Sequence, residues 1–229
     1  MRRLFERLMG RAEADDVEGR PAKEPASRPV KPEPKPAPCP YCGVILKPRP
    51  KRKKKCPHCG EPIFVRQGNL RTQEQAEIQD WLKQLQYLDV TRKEFDRHQK
   101  QLSKQFGHKP AVNDTVWRIL NSRVASTRDH HILLQVYSEM ARLVEKEGKD
   151  PKPYYAKVSR HELLEIKEGG LYEKVRVQTC NDDHVCPACR ELAKRTFTIE
   201  EALATLPVPN GCQSETGCRC FYEPVSPFE

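Results

Sequence analysis

Cys39-Pro40-Tyr41-Cys42-Gly43 and Cys56-Pro57-His58-Cys59-Gly60, with thirteen residues between Cys42 and Cys56, decide the fold of the front of this chain. A Cys-x-x-Cys pair closed by glycine makes a tight turn that aims two sulfurs at one point. Two such turns complete a tetrahedral sulfur set. Val44-Ile45-Leu46 and Ile63-Phe64-Val65 supply short strands beside the turns. The reading is a zinc ribbon over residues 38–68, with Cys39, Cys42, Cys56 and Cys59 holding a first structural Zn2+. Four sulfurs leave no position for water, so this site is expected to support structure rather than catalysis. A unit of about 30 residues has almost no core without its metal.

The ten cysteines fall into two groups, the second at positions 180, 186, 189, 212, 218 and 220. The Cys-x-x-Cys pairs each begin Cys-Pro, and in a reduced compartment such pairs read as metal knuckles rather than as a disulfide framework. Cys186 and Cys189 form the pair of a second site. Cys212, Cys218 and Cys220 compete for its other two positions, and Cys180 is a spare. Asp182-Asp183-His184 beside the knuckle raises the alternative of a hydrolytic metal centre. No partner His-Asn pattern accompanies it, so His184 reads as a surface or supporting residue. His130-His131 likewise reads as partly buried helix surface rather than a catalytic pair.

The net charge of +9 sits wholly in the first third: residues 1–70 hold 17 Lys and Arg against 8 Asp and Glu, and residues 71–229 hold 24 against 24. Any polyanion is therefore met there. Lys51-Arg52-Lys53-Lys54-Lys55, between the knuckles, are the candidate contacts to DNA or RNA. No aromatic residue interrupts the run, so the expected binding is electrostatic and blind to sequence. Residues 1–10 suggest a short amphipathic helix bearing Leu4, Phe5 and Leu8, and residues 1–37 as a whole form a basic, proline-rich tether expected to be disordered. The start makes a poor signal peptide, and no apolar run approaches the about 18 residues that a membrane span requires. A soluble, cytoplasmic protein is expected.

From 72 to 168 the apolar period is helical. Ile78, Trp81, Leu82, Leu85 and Leu88 mark a first stripe. Thr91 with Glu94 forms a capping box for a second helix bearing Phe95, Leu102 and Phe106, ended by Gly107. Asn113 or Asp114 caps a third, residues 132–144 carry the clearest stripe, and a fifth helix runs from about Tyr154 to Lys167. Beyond Gly169-Gly170, in a C-terminal zinc-binding module over 170–229, Lys174–Thr179 reads as a strand and 190–194 as a short helix. Thr198 and Glu201 form another capping box, and the segment from Cys218 returns as a strand. The class is α+β: a small zinc ribbon, a mainly helical middle and a C-terminal treble-clef-like zinc module.

Over roughly residues 155–225 the chain resembles a known family. The residues that carry the likeness are Lys157-Val-Ser-Arg160-His-Glu162, Val177-Gln-Thr-Cys-Asn-Asp182-Asp-His-Val-Cys186-Pro-Ala-Cys189-Arg-Glu-Leu, Phe197, and Pro209-Asn-Gly-Cys212 with Cys218-Arg-Cys220. Their order resembles the phage head-morphogenesis family of Mu F-like minor head proteins: strand, Asp, Cys-x-x-Cys, short helix, final Cys-Arg-Cys. Cys212 stands about where that family has a His, which implies Cys186, Cys189, Cys212 and Cys218 as ligands of a second structural Zn2+, with Cys220 as the alternative. The ribbon and tether are additions to the family pattern. The resemblance implies a non-catalytic virion-assembly factor whose helical region meets a protein partner such as a portal-like ring. The competing expectation is a nucleic-acid-binding ribbon protein, with a metal-dependent nuclease behind both.

Overall fold

Each knuckle closes a small hairpin. β1 (Ala37–Pro38) pairs antiparallel with β2 (Ile45–Leu46) around the first, and β3 (Lys54–Lys55) with β4 (Pro62–Arg66) around the second. β5 (Asn69–Arg71) extends the second sheet. The computed structural model describes residues 36–214, 218–226 and 228. The helix expected at 1–10 and the tether expected through residue 35 lie outside them. β1 opens at Ala37, one residue ahead of the boundary expected at 38. The end of the basic run is strand rather than loop, because pairing with Pro62 and Ile63 uses the backbone and leaves the lysine side chains in water.

The two turns repeat bond for bond. Cys39 N–H donates to Val44 O at 2.8 Å and Gly43 N–H to Cys39 O at 3.0 Å; Cys56 N–H donates to Glu61 O at 2.8 Å and Gly60 N–H to Cys56 O at 2.9 Å. Gly43 and Gly60 take φ of +74° and +77°, where a side chain would be strained. The buried interior of this unit is Cys39, Leu46, Cys56 and Ile63, with Leu70 packed against it.

Side-chain hydrogen bonds seat this unit on the helices. The Tyr41 hydroxyl donates to Pro62 O and accepts the Gln73 N–H at 2.8 Å, and Arg66 grips both carboxylate oxygens of Asp80 at 2.8 and 2.7 Å. Then follow α1 (Gln73–Gln84), a 3-10 turn (Gln86–Leu88), α2 (Arg92–Phe106), α3 (Val112–Ser126), α4 (His130–Lys146) and α5 (Lys152–Glu168). Trp81, Leu85, Phe95, Val116, Ile119, Leu120, Met140 and Leu143 are buried in their shared core. No helix among the described residues is long and apolar enough to cross a membrane.

Several local expectations change. Thr91 accepts the Glu94 N–H, but Glu94 turns its carboxylate to Arg123 at 2.9 Å instead of completing a capping box. Ala111 caps α3, and Asp114 reaches back from inside the helix to accept the Ala111 N–H. Phe106 is exposed at the end of its helix. A carboxylate sits wholly inside: Glu139 on α4 accepts from Gln84, Tyr87 and Arg142, so its burial is compensated.

The C-terminal sheet places β6 (Lys174–Gln178) between β7 (Thr196–Thr198) and β8 (Phe221–Pro224), both antiparallel to it. α6 (Pro187–Leu192) begins inside the Cys186–Cys189 knuckle, three residues earlier than expected, because Cys186 itself caps it. α7 (Ile199–Thr205) carries the complete capping box of Thr198 and Glu201. The boundary expected near 168–170 falls behind residues that already serve this unit. Leu163 of α5 is buried with Val175, Val177, Phe197, Ile199 and Tyr222, and Glu162 accepts the Tyr222 N–H at 3.1 Å. His130 and His131 of α4 meet α5 from the other side, His130 at His161 (Nδ1 to Nδ1, 3.0 Å) and His131 at Glu165. α5 is thus shared by both cores. Leu163→Ala should cost about 2–5 kcal/mol, read as a lower urea midpoint with a weakened tertiary signal from the C-terminal sheet.

Candidate metal centres

Cys39 and Cys42 come from the first turn, Cys56 and Cys59 from the second, and all four sulfurs lie within 4.8 Å of one another. Cys39 Sγ is 3.9 Å from Cys59 Sγ, and Cys42 Sγ is 3.9 Å from Cys56 Sγ. A disulfide would need about 2.05 Å. A tetrahedral ion bonded at about 2.3 Å to four sulfurs separates them by about 3.8 Å. The spacing therefore suits four thiolates around one thiophilic ion. The backbone is already polarised toward that charge: amides of Cys59 and His58 point at Cys56 and hold its thiol down at about 6. The Glu61 amide favours the Cys59 thiolate, yet burial and the neighbouring thiols outweigh it and push that thiol up to about 12. One thiolate forms readily and the next is resisted by like charge, a conflict that a dication removes.

The second group contains five thiols in two overlapping triads. Cys186, Cys189 and Cys212 form one, and Cys189, Cys218 and Cys220 the other. Cys189, fully buried, belongs to both. Cys186 Sγ lies 3.8 Å from Cys212 Sγ and Cys189 Sγ lies 4.0 Å from Cys218 Sγ, again the spacing of a tetrahedral edge. Burial raises Cys212 to about 11 and Cys220 to about 12. Against the same cost of burial, the amides of Gln213 and Cys189 hold Cys186 at about 7. Each cluster can hold a metal ion. Cys180 stands outside both triads, its thiol donating to Arg219 O at 3.5 Å.

No protein-family model, curated protein or solved structure matches this chain.

Asp183 and His184 contribute to neither group of ligand atoms. Asp182 is engaged elsewhere: Arg219 holds both its oxygens, at 2.7 and 2.9 Å, and one of them also accepts the His184 N–H. The Arg219 guanidinium keeps this carboxyl below its ordinary range. The clamp fixes the run between Cys218 and Cys220 against the loop before Cys186, so it sets where two of the five sulfurs stand. Sequence reading assigned neither residue this role. The signal was present in the arginine lodged between two cysteines and an aspartate four residues before a knuckle.

The basic residues Lys51, Arg52, Lys53, Lys54 and Lys55 are all exposed. Among the described residues none of them has an ion-pair partner; the module's one salt bridge is that of Arg66. Lys53 lies over the Phe64 ring, 4.6 Å from its centroid.

Arg219→Ala is expected to weaken metal retention at the second cluster by about tenfold or more while leaving the first unchanged. Cys180→Ser should leave both intact. Chelator competition monitored by metal release checks both variants.

Proposed function

We propose that this protein binds two structural zinc ions and acts in assembly or interaction rather than catalysis. The observation that carries the proposal is the pair of thiol clusters, the first with four sulfurs mutually within 4.8 Å and the second with five sulfurs in two triads that share Cys189. Thiolates in this number and geometry favour zinc over hard, oxygen-seeking cations. A sulfur-saturated ion has no open position for water, and a structural role follows from that saturation. The first unit is then a zinc ribbon. The second is treble-clef-like, with Cys186, Cys189, Cys212 and Cys218 as ligands and Cys220 in reserve.

The likeness of residues 155–225 to the Mu F-like minor head proteins supports a role in phage or prophage head morphogenesis. In this reading the protein is associated with the virion and its helical region binds a portal-like ring. A second reading, nucleic-acid contact by the ribbon, rests on a separate observation. Residues 36–71 hold nine Lys and Arg against one Glu, and the run at 51–55 has no internal ion pairs. Cations without protein partners are free to displace the counterions of a phosphate backbone.

Protein purified without added zinc should contain about two zinc ions per chain, measured by atomic emission. One ion or none would overturn the two-site reading. Cobalt in both sites should give the intense charge-transfer absorption of four-sulfur coordination; a spectrum of fewer sulfurs with exchangeable water would revive a hydrolytic second site. Replacing Lys51, Arg52, Lys53, Lys54 and Lys55 together by Ala should weaken DNA binding. Its salt dependence should flatten by about 0.7–0.9 in log–log slope for each phosphate that the variant no longer neutralises. Unchanged binding would reduce the run to solvated surface.

A further inference from the structure

We infer that the cleft between the ribbon and the first helix is a nucleotide pocket that makes this protein prefer single-stranded nucleic acid. The inference rests on the nucleic-acid reading of the basic run and adds to it a site and a strand preference. The basic segment has no aromatic residue of its own, but folding supplies one. β3 pairs with β4, and Lys53 comes to lie over Phe64. On the opposite wall, Lys146 of α4 covers Trp81 of α1, 4.2 Å from the ring. Between them is a cleft of about 520 Å³, within the range of small-ligand sites and open to solvent.

The charges in the cleft favour a base inside and phosphates at the rim. Lys53 and Lys146 are exposed at its edges, and among the described residues neither has a carboxylate within ion-pairing distance. Inside stand Glu77 and Asn113. Arg66 neutralises Asp80, but Glu77 has no salt-bridge partner among the described residues. A phosphate driven inward would meet that carboxylate, whereas the amino group of a base can donate to it. Phe64 is half-buried, with its ring shielded by an ammonium. An exposed cation–π contact contributes less than the stacking of a base on an aromatic ring, so a base can displace Lys53 toward the neighbouring phosphate. A duplex keeps its bases paired and has nothing to insert. The basic strand alone would grip either form; the cleft discriminates.

The test uses the full-length, zinc-loaded chain with a 20-nucleotide oligothymidine, a mixed-sequence single strand and a duplex of that mixed sequence. Binding is read by fluorescence anisotropy. Phe64→Leu should lower single-strand affinity about fivefold or more and leave duplex affinity within twofold. In a Trp117→Phe background the remaining tryptophan, Trp81, lines the cleft, and its emission should change on adding a single strand but not the duplex. Zinc content equal to that of the parent protein shows that Phe64→Leu leaves the ribbon folded. If Phe64→Leu weakens both forms equally or neither, and Trp81 emission does not respond, the pocket is refuted while the basic run keeps its role. If the parent protein binds neither form, both readings fall. Tighter binding of the duplex than of the single strand also refutes the pocket.

Discussion

Like charges crowded into a small space set the terms for this structure. Four thiols within 4.8 Å of each other cannot all ionise unaided. The N-terminal unit has few other means of support: Leu46, Ile63 and Leu70 are hardly a core, and its strands are two to five residues long. A dication bound there would convert four repelling thiolates into four bonds and would make metal binding and folding a single equilibrium. The amides aimed at Cys56 and Cys186 are the protein's own share of that work, since they lower the cost of the first ionisation. Tyr41 and Arg66 hold this unit to α1, which places Phe64 opposite Trp81.

The C-terminal cluster answers the same constraint differently. The first unit repeats one turn twice and brings the two turns together at one four-sulfur centre. The second site draws on a helix cap, a turn after α7 and a run held by the Asp182–Arg219 clamp. Three unrelated elements must converge, and the fifth thiol is a by-product of that looser construction. Cys189 is the sulfur common to both triads among the described residues.

What could be read beforehand followed from short-range chemistry. Knuckle turns, helix stripes and the Thr198–Glu201 box depend on residues within a few positions of each other, and these appeared close to where they were expected. Missed features depended on long-range partners. Glu94 left its helix cap because Arg123, on another helix, offered a stronger contact. Lys54 and Lys55 read as loop because lysine disfavours strands, yet their pairing was dictated by the hairpin that the second knuckle closes. The aromatic face beside the basic run was invisible because Phe64 lies nine positions beyond Lys55 and reaches Lys53 only through β pairing. The second cysteine set stayed ambiguous for a like reason: spacing ranks Cys212, Cys218 and Cys220 equally, and only folding puts Cys212 in one triad and Cys218 with Cys220 in the other.

α5 carries a consequence for how this chain can be divided. At 17 residues it is about 25 Å long, and its two ends are committed to different interiors: Tyr154 packs beside Trp117 of the bundle, while Leu163 fills the space beneath the C-terminal sheet. A cut at Gly169-Gly170 would look natural on a map of glycines, yet it would strip the sheet of its floor and leave the helix with an uncovered apolar end. The smallest transplantable C-terminal piece therefore starts at Lys152. Any lineage that acquired this fold by exchange would have had to inherit the helix along with the cysteines.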